Sequence, residues 1–407
     1  MNKIAPWFLS ALLAIACGVL VLAYLVAPPL QMGWYLAMLA GVLIIWGILA
    51  WRFFRKWELA ADAALLLALF VTGYLSATLF YLAQAEKGEL PVITRAEGDP
   101  GDGHTAILYF THGEPPAYSP MPWIETFHEL DKDGVSFVPW PFRPFFLSNV
   151  RREYLAIGGS AHNKVHQIML HSLLLSMPEE AMRGTRFYQA FLDSPPRPDE
   201  MAIQAINDGA SKLIVLPVFL TDSSHTIAGF EMIEALAIEK FGVSVCAAKP
   251  LWNTDALQQM FVARADAHLD GVDKARVGIL LVGHGQPDDW DAFYPTQTEQ
   301  ENEFRNQVRE RLIQAGYLPD NILLAWMEFK TPKITSAVQQ LAAQGVERIL
   351  VFSASISADS IHSDIQVPES VEAADLPDDV QVVNMGAWGN SPLVIEAIRQ
   401  RIGECQE

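Results

Sequence analysis

Two similar apolar segments of the chain each lead into a histidine. The first spans residues 107–113 (ILYFTHG) and ends in His112-Gly113, and the second spans residues 279–285 (ILLVGHG) and ends in His284-Gly285. Further along, each is followed by a second apolar segment and an Asp-Ser-X-His sequence, at residues 222–225 and 359–362. A duplicated pair of histidines is difficult to explain by packing, because the end of a strand in an α/β fold is where ligands bind.

An acidic residue completes each copy. Residues 190–193 (AFLD) align with residues 325–328 (AWME), which makes Asp193 and Glu328 equivalent. Two imidazoles and a carboxylate suit iron, cobalt or nickel better than Mg²⁺ or Ca²⁺. The same groups also accept protons from a substrate, since histidine titrates near neutral pH. The sequence predicts two trios at strand ends: His112, Asp193 and His225 in one, and His284, Glu328 and His362 in the other.

Alternating strand-like and helix-like segments predict the scaffold. Strands are predicted at residues 106–110, 186–192, 212–219 and 243–247, and again at 277–282, 322–327, 348–353 and 380–384. Strands separated by helices indicate βαβ units and parallel sheets. The fold class is therefore α/β: a tandem pair of Rossmann-like parallel-sheet half-domains, with an insertion at residues 121–183 of the first copy.

Three N-terminal segments, at residues 4–27, 34–51 and 63–83, are apolar and long enough to cross a bilayer. A cleaved signal peptide is less favoured, because the first segment is too long and a second span follows it. The sequence predicts an integral protein of a bacterial inner membrane, with the lipid bilayer as a partner. Three transmembrane helices thus precede the half-domains.

The distribution of positive charge bears on the orientation of these spans. Arg52, Arg55 and Lys56 lie between the second and third spans, and the preceding loop has no lysine or arginine. The positive-inside rule then puts these charges in the cytoplasm and the large domain on the opposite face. Lys87 and Arg95 favour the reverse arrangement, so the side of the membrane stays open.

Composition narrows the classes of partner. The net charge of −19 argues against nucleic acid. The predicted divisions are a transmembrane region at 1–85, a Gly- and Pro-containing linker at 86–104, a first half with its insertion at 105–272, and a second half at 273–407. Cys17, Cys246 and Cys405 lie far apart and indicate neither a metal site nor a disulfide framework.

Weaker candidates lie in the insertion. His162 and His166 are four residues apart, a metal-like spacing on a helix that is more often due to chance. Gly158-Gly159-Ser160 precedes them and is suited to an anion-binding turn at a helix start. The turn is too short for a phosphate-binding loop and has no lysine. A serine hydrolase is disfavoured because the chain has no Gly-X-Ser-X-Gly sequence.

Together these motifs resemble the class II chelatases, which insert a divalent metal into a tetrapyrrole. Residues 281–285 (LVGHG) are similar to the first-strand motif of the sirohydrochlorin chelatases, residues 325–328 to their acidic motif, and His362 to their later metal-site histidine. The first copy resembles them through His112, Asp193 and residues 218–225. Residues 152–164 resemble the loop and helix beside the porphyrin pocket of protoporphyrin ferrochelatases. The resemblance covers residues 105–402.

The resemblance implies roles for these residues. His284, Glu328 and His362 would be catalytic and would bind the metal, and His112, Asp193 and His225 would form a second or vestigial site. Gly158, Gly159 and Ser160 would contact the tetrapyrrole, and Trp290, Phe293, Tyr294 and Trp326 are candidates to stack on it.

The implied reaction is insertion of Fe²⁺ into a porphyrin for haem biosynthesis, with the metal as substrate and no tightly bound cofactor. His362 replaces the acid expected after the later strand in ferrochelatases. This departure leaves open a sirohydrochlorin chelatase that uses Co²⁺ or Fe²⁺. A non-catalytic, membrane-anchored protein that binds haem or a metal is a further alternative.

Overall fold

The N-terminal apolar segments form three long helices, α1 (Ile4–Val26), α2 (Pro29–Phe53) and α3 (Leu59–Leu82). All three are long and apolar enough to cross a membrane, over Trp7–Val26, Pro29–Leu49 and Asp62–Leu82. Pro28 and Pro29 separate α1 from α2, because proline fits the first turn of a helix and not its interior.

The computed structural model describes residues 4–53, 59–84, 90–132, 134–135 and 138–406. Arg55, Lys56 and Lys87, and with them the first part of the predicted linker, lie outside the described residues. The chain divides into two units, one drawn from residues 1–88 and 117–159 and the other from residues 89–116 and 160–407.

The first unit contains part of the predicted insertion as well as the long helices. After residue 117 the chain forms α4 (Met121–Lys132), a 3-10 turn (Trp140–Phe142) and α5 (Arg143–Ile157). The remainder of the insertion, from Ser160 onward, belongs to the second unit.

The second unit begins with the first α/β half. Its elements are β1 (Thr105–Thr111), α6 (His162–Ser176), α7 (Glu179–Met182), β2 (Thr185–Phe191), α8 (Pro198–Asn207), β3 (Lys212–Pro217), α9 (Ser224–Glu234), β4 (Ser244–Ala247) and α10 (Asp255–Ala267). The four strands are parallel and lie in the order β2-β1-β3-β4.

The second half repeats this topology. Its elements are β5 (Val277–Gly283), α11 (Pro295–Gln314), β6 (Ile322–Trp326), α12 (Ile334–Ala343), β7 (Arg348–Ser353), α13 (Val367–Glu372), β8 (Gln381–Gly386) and α14 (Pro392–Glu404). The strand order is β6-β5-β7-β8, again parallel. All eight predicted strands are present with ends within two residues, which confirms the predicted fold class.

The central strands are apolar because they are buried. β5 is buried along its whole length, as expected of a central strand in a parallel sheet that is covered on both faces. One apolar core joins the two halves, since the Phe261 ring in α10 packs 5.5 Å from Phe304 and 5.3 Å from Phe352 between centroids.

A disulfide also joins the halves. Cys246 in β4 is bonded to Cys405, just after α14, with Cα atoms 5.9 Å apart. The sequence did not indicate this bond, because the 159 residues between the two cysteines leave no local spacing signal. Cys17 is a free, buried cysteine in α1.

Candidate functional site

The ends of neighbouring strands bring each histidine to its acid. His112 follows β1 and His284 follows β5, while Asp193 and Glu328 lie two residues beyond β2 and β6. The Asp193 backbone N–H donates to the His112 carbonyl at 2.9 Å, and the Glu328 N–H donates to the His284 carbonyl at 3.1 Å. The backbone of the two copies is therefore equivalent at this point.

A glycine after each histidine fixes the orientation of the ring. Gly113 and Gly285 have φ angles of +84° and +83°, a region that favours glycine. A Cβ atom would lie 2.5 Å from the Cβ of Phe191 at the first position and 2.7 Å from the Glu328 carbonyl oxygen at the second.

The turn places the glycine carbonyl against the preceding ring. Nδ1 of His112 donates to the Gly113 carbonyl at 2.8 Å, and Nδ1 of His284 donates to the Gly285 carbonyl at 2.7 Å. Because a carbonyl only accepts, Nδ1 carries the proton in the neutral ring and Nε2 keeps its lone pair. Each of these histidines thus presents a nitrogen that binds a metal or accepts a proton.

The second histidine of each trio is not at a strand end, contrary to the sequence prediction. β3 ends at Pro217 and β7 at Ser353, whereas His225 lies in the first turn of α9 and His362 begins a π-helical turn (His362–Gln366). A short loop separates strand from helix, and Ser223 ends it by capping α9, its side chain accepting from the Thr226 N–H at 3.3 Å.

These helix starts nevertheless bring the histidines together in pairs. The ring centroids of His112 and His225 are 4.6 Å apart with planes at 81°, and those of His284 and His362 are 5.0 Å apart at 86°. Thus the same edge-to-face pair occurs in both halves.

The two pairs form one group, which we call the histidine cluster: His112, His225, His284 and His362. Glu114, two residues after His112, accepts a hydrogen bond from the backbone N–H of Ile361, which precedes His362. Burial lowers the pKa of His225 well below its usual range, and positive charge on His112, His284 and His362 lowers it further. The histidines of the two predicted trios are therefore neighbours.

The acids differ between the copies. Oδ2 of Asp193 lies 3.1 Å from Nδ1 of His112, and burial raises the pKa of Asp193 against the influence of His112 and Arg197. In the second half Glu328 acts on His362 instead. Burial and His284 lower the pKa of His362 to about 4, and Glu328 opposes them.

Two buried acids beside the cluster were missed by sequence analysis. Glu301 in α11 is 3% exposed, and its Oε2 accepts from the Gly285 N–H at 3.3 Å. Burial raises its pKa, and Arg305 and His284 oppose that rise. Glu301 was missed because it lies within a helix and belongs to no recognisable sequence motif. Glu114, which directly follows the His-Gly pair, was detectable, and burial likewise raises its pKa.

His162 and His166 on α6 are buried, with ring centroids 4.7 Å apart. His166 is held by hydroxyl groups, with Nδ1 2.7 Å from the Tyr109 Oη and Nε2 3.1 Å from the Ser357 Oγ. The ring of His162 lies 6.4 Å from that of His112, and burial lowers its pKa to about 3. His162 therefore lies next to the histidine cluster, whereas the contacts of His166 with hydroxyl groups indicate a structural role.

The predicted tetrapyrrole-binding turn has local backbone roles. Gly158 ends α5 at φ 75°, and the Gly159 N–H donates to the Tyr154 carbonyl at 3.0 Å. The Ser160 hydroxyl donates to Glu114 and accepts from the His162 N–H at 3.2 Å, so it positions the start of α6.

The aromatic candidates separate by exposure. Trp326 is 6% exposed and lies against the Arg305 guanidinium, 3.8 Å from ring centroid to Cζ, so it is not free to stack on a ligand. Trp290 and Tyr294 pack on one another with centroids 5.7 Å apart, and Phe293 is 60% exposed.

Across the described ranges, no three His, Cys, Asp or Glu side chains are grouped so that they could hold a metal ion. The arrangement that is present is the pair of imidazoles. Such a pair supplies only part of the ligand set that iron or cobalt prefers.

Two parallel sheets of the same strand order, each with a histidine pair at the same point, define a duplicated α/β domain. Residues 278–405, within the second half of the chain, match the sequence model of the CbiX family, and this match supports the resemblance to the class II chelatases. This region carries His284, Glu328 and His362.

Several solved structures are similar to the chain. SirB from Bacillus subtilis with Fe³⁺ has 16% identity and a TM-score of 0.48, over 74% of this chain and 95% of that chain. The sirohydrochlorin chelatase SirB from Bacillus subtilis subspecies spizizenii, in complex with cobalt, has 12% identity and a TM-score of 0.45, over 74% of this chain and 94% of that chain. CbiX, the terminal enzyme for siroheme biosynthesis in denitrifying bacteria, has 15% identity and a TM-score of 0.43, over 74% of this chain and 98% of that chain. No curated protein matches the sequence.

The family match bears on the predicted reaction. The family whose model matches is CbiX. The alternative reading of the sequence, a sirohydrochlorin chelatase, is therefore better supported than insertion of iron into a porphyrin for haem.

Proposed function

We propose that the protein is a tetrapyrrole metal chelatase that inserts Co²⁺ or Fe²⁺ into sirohydrochlorin. The observation that carries the proposal is the His284–His362 pair, because it lies in the region that matches the CbiX family. Its counterpart, His112–His225, lies in the same histidine cluster.

The reaction requires two pyrrole protons to leave the macrocycle while four ring nitrogens replace the ligands of the metal. Nε2 of His284 is suited to either task, since Nδ1 is occupied by the Gly285 carbonyl. The lowered pKa of His362 keeps its ring neutral at pH 7, so it also offers a lone pair.

A loose metal site favours a chelatase over a storage protein. An ion bound by two imidazoles retains exchangeable positions, and the macrocycle nitrogens fill them as the ion is transferred. A closed set of four protein ligands, as in structural zinc sites, would oppose that transfer.

Turnover separates this proposal from its alternatives. The full chain in lipid nanodiscs would be given sirohydrochlorin with Co²⁺ or Fe²⁺ and, in parallel, protoporphyrin with Fe²⁺, and absorbance of the metallated ring would be followed. We expect repeated turnover with sirohydrochlorin. Turnover with protoporphyrin alone would establish the ferrochelatase reading, and binding of one equivalent without turnover would establish a carrier.

A matched pair of variants controls for nonspecific effects. His284→Ala is expected to abolish turnover, and His268→Ala, at an exposed histidine outside the cluster, is expected to leave it unchanged. Equal loss in both variants would contradict a role for the cluster.

We further propose that α1–α3 cross the membrane and that the chelatase halves lie on its extracytoplasmic face. The Cys246–Cys405 disulfide supports this side, because such bonds persist in oxidising compartments. It agrees with the positive-inside reading of Arg52, Arg55 and Lys56.

Reporters fused after residue 407 test the orientation. An alkaline phosphatase, which folds only after export, is expected to be active there, and a cytoplasmic fluorescent protein is expected to be dark. The opposite result would place the halves in the cytoplasm.

A further inference from the structure

The insertion contains an aromatic segment, defined here as residues 140–147 (WPFRPFFL). It forms the 3-10 turn Trp140–Phe142 and the start of α5. Phe142 is 59% exposed and Phe145 is 52% exposed. Exposed apolar side chains that are grouped on one surface are typical of a site that contacts a membrane or another protein.

Contacts with α3 fix the level of this segment along a predicted span. The Tyr74 hydroxyl donates to the Pro141 carbonyl at 2.7 Å, and the Tyr74 ring lies 6.2 Å from that of Phe145 between centroids. Tyr74 precedes the end of α3, Leu82, by 82 − 74 = 8 residues. That length of helix is about 12 Å, well inside a hydrocarbon core that is about 30 Å thick.

Other contacts mark the level at which the spans end. The Arg151 guanidinium donates to the carbonyls of Tyr24 at 2.7 Å and Ala27 at 2.8 Å, at the C-terminal end of α1. Nε2 of His128 donates to the Leu82 carbonyl at 2.5 Å, at the end of α3. Carbonyls in the last turn of a helix have no partner within that helix, and the Arg151 guanidinium also suits the helix dipole at the end of α1.

The two levels agree with the geometry of α5. Phe145 and Arg151 are 151 − 145 = 6 residues apart on that helix, which corresponds to about 9 Å. Hence α5 runs from the depth of Tyr74 to the ends of the spans.

The one charge within the aromatic segment is neutralised. The Arg143 side chain is 5% exposed and forms two hydrogen bonds with the Asp131 carboxylate. It also donates to the Val138 carbonyl at 3.0 Å and lies 4.7 Å from the Phe127 centroid. A charge at membrane depth is tolerated when it is paired in this way.

We propose that residues 140–147 are immersed in lipid, with Phe142 and Phe145 against the acyl chains of the leaflet at the C-terminal ends of α1 and α3. This rests on the proposal that α1–α3 cross the membrane and is independent of the chelatase chemistry. The chain from α5 continues through Gly158 and Gly159 into α6, which carries His162. The lipid-embedded insertion is thus covalently continuous with the helix beside the histidine cluster.

Depth-dependent quenching tests the proposal. Phe142→Cys and Phe145→Cys, each in a Cys17→Ser background, would be labelled with bimane without reductant, so that the Cys246–Cys405 disulfide stays closed. The full chain would then be placed in nanodiscs whose acyl chains carry a doxyl quencher. Leu318→Cys, at a 45% exposed position of the second unit, supplies the aqueous control.

We expect quenching at residues 142 and 145 that is roughly threefold or more above that at 318, since only labels within the hydrocarbon layer contact the quencher. Leu43→Cys, at a 49% exposed position of α2, reports on the spans themselves. If residue 43 is quenched and both phenylalanine positions match 318, the aromatic segment is outside the lipid and the inference is refuted. If residue 43 is also unquenched, the spanning proposal fails and the inference falls with it.

Discussion

Replacing His284 tests most directly whether the imidazole pair of the second half performs the reaction. His284→Ala removes both Nε2, the proposed base and ligand, and the Nδ1 donor to the Gly285 carbonyl at 2.7 Å. Loss of a positioned base typically lowers a rate by about 10² to 10⁴, or roughly 3–5 kcal/mol of transition-state stabilisation. We expect kcat for metallation of sirohydrochlorin to fall by that factor.

His284→Asn distinguishes chemistry from structure. Its side-chain amide can still donate to the Gly285 carbonyl but provides no basic nitrogen at the Nε2 position. If His284 acts through Nε2, the asparagine variant is as slow as the alanine variant while its free energy of unfolding stays near the native value. Recovery of kcat in the asparagine variant would show that His284 only holds the turn.

His112→Ala provides the comparison within the same chain. Its Nδ1 is also 3.1 Å from the Asp193 carboxylate, and it belongs to the half outside the CbiX match. We expect its kcat to fall by about tenfold or less, through the altered charge around His225. A loss of activity in His112→Ala with full activity in His284→Ala would reverse the assignment of the two halves.

Three further outcomes follow from the packing around the cluster. Gly285→Ala puts a side chain at a position of positive φ, 2.7 Å from the Glu328 carbonyl oxygen. The free energy of unfolding, measured by denaturant titration, should fall by about 1–3 kcal/mol because of this strain, and an unchanged midpoint would contradict it. Glu301→Gln leaves the buried Arg305 charge without its carboxylate and should cost about 3 kcal/mol, part of which a second change, Arg305→Met, restores in a double-mutant cycle. Burial lowers the pKa of His162 to about 3, whereas in the unfolded chain it is near 6.5. Below pH 6.5 the unfolded chain therefore binds a proton that the folded chain does not. The free energy of unfolding falls by about 1.4 kcal/mol per pH unit, or about 2 kcal/mol by pH 5. His162→Asn should remove this part of the acid destabilisation, and an identical pH profile in the variant would refute it.

Local sequence was sufficient for the strands and for the first histidine of each pair. β1 and β5 are continuous apolar segments that end in His-Gly, and a parallel strand buried on both faces requires such a composition. The acids could also be placed, because Asp193 and Glu328 follow the neighbouring strands at the same distance. The three apolar segments at the N-terminus likewise appear as helices of the predicted length.

The positions of His225 and His362 relative to the ends of β3 and β7 were harder to predict. His225 and His362 were expected at strand ends and lie instead in helical turns, because β3 and β7 end well before them. An apolar segment does not reveal where hydrogen bonding to the neighbouring strand stops. That point depends on the partner strand and on capping groups such as Ser223.

By itself the sequence determined the duplication, the parallel α/β halves, the three apolar helices and the types of residue at the site, since periodicity and residue type are local properties of the chain. Only the tertiary structure united two histidine pairs into one cluster, put Glu301 against Gly285 and bonded Cys246 to Cys405. These contacts join residues that are remote in sequence or on different elements. They arise from the shared core between the halves, which no local pattern records.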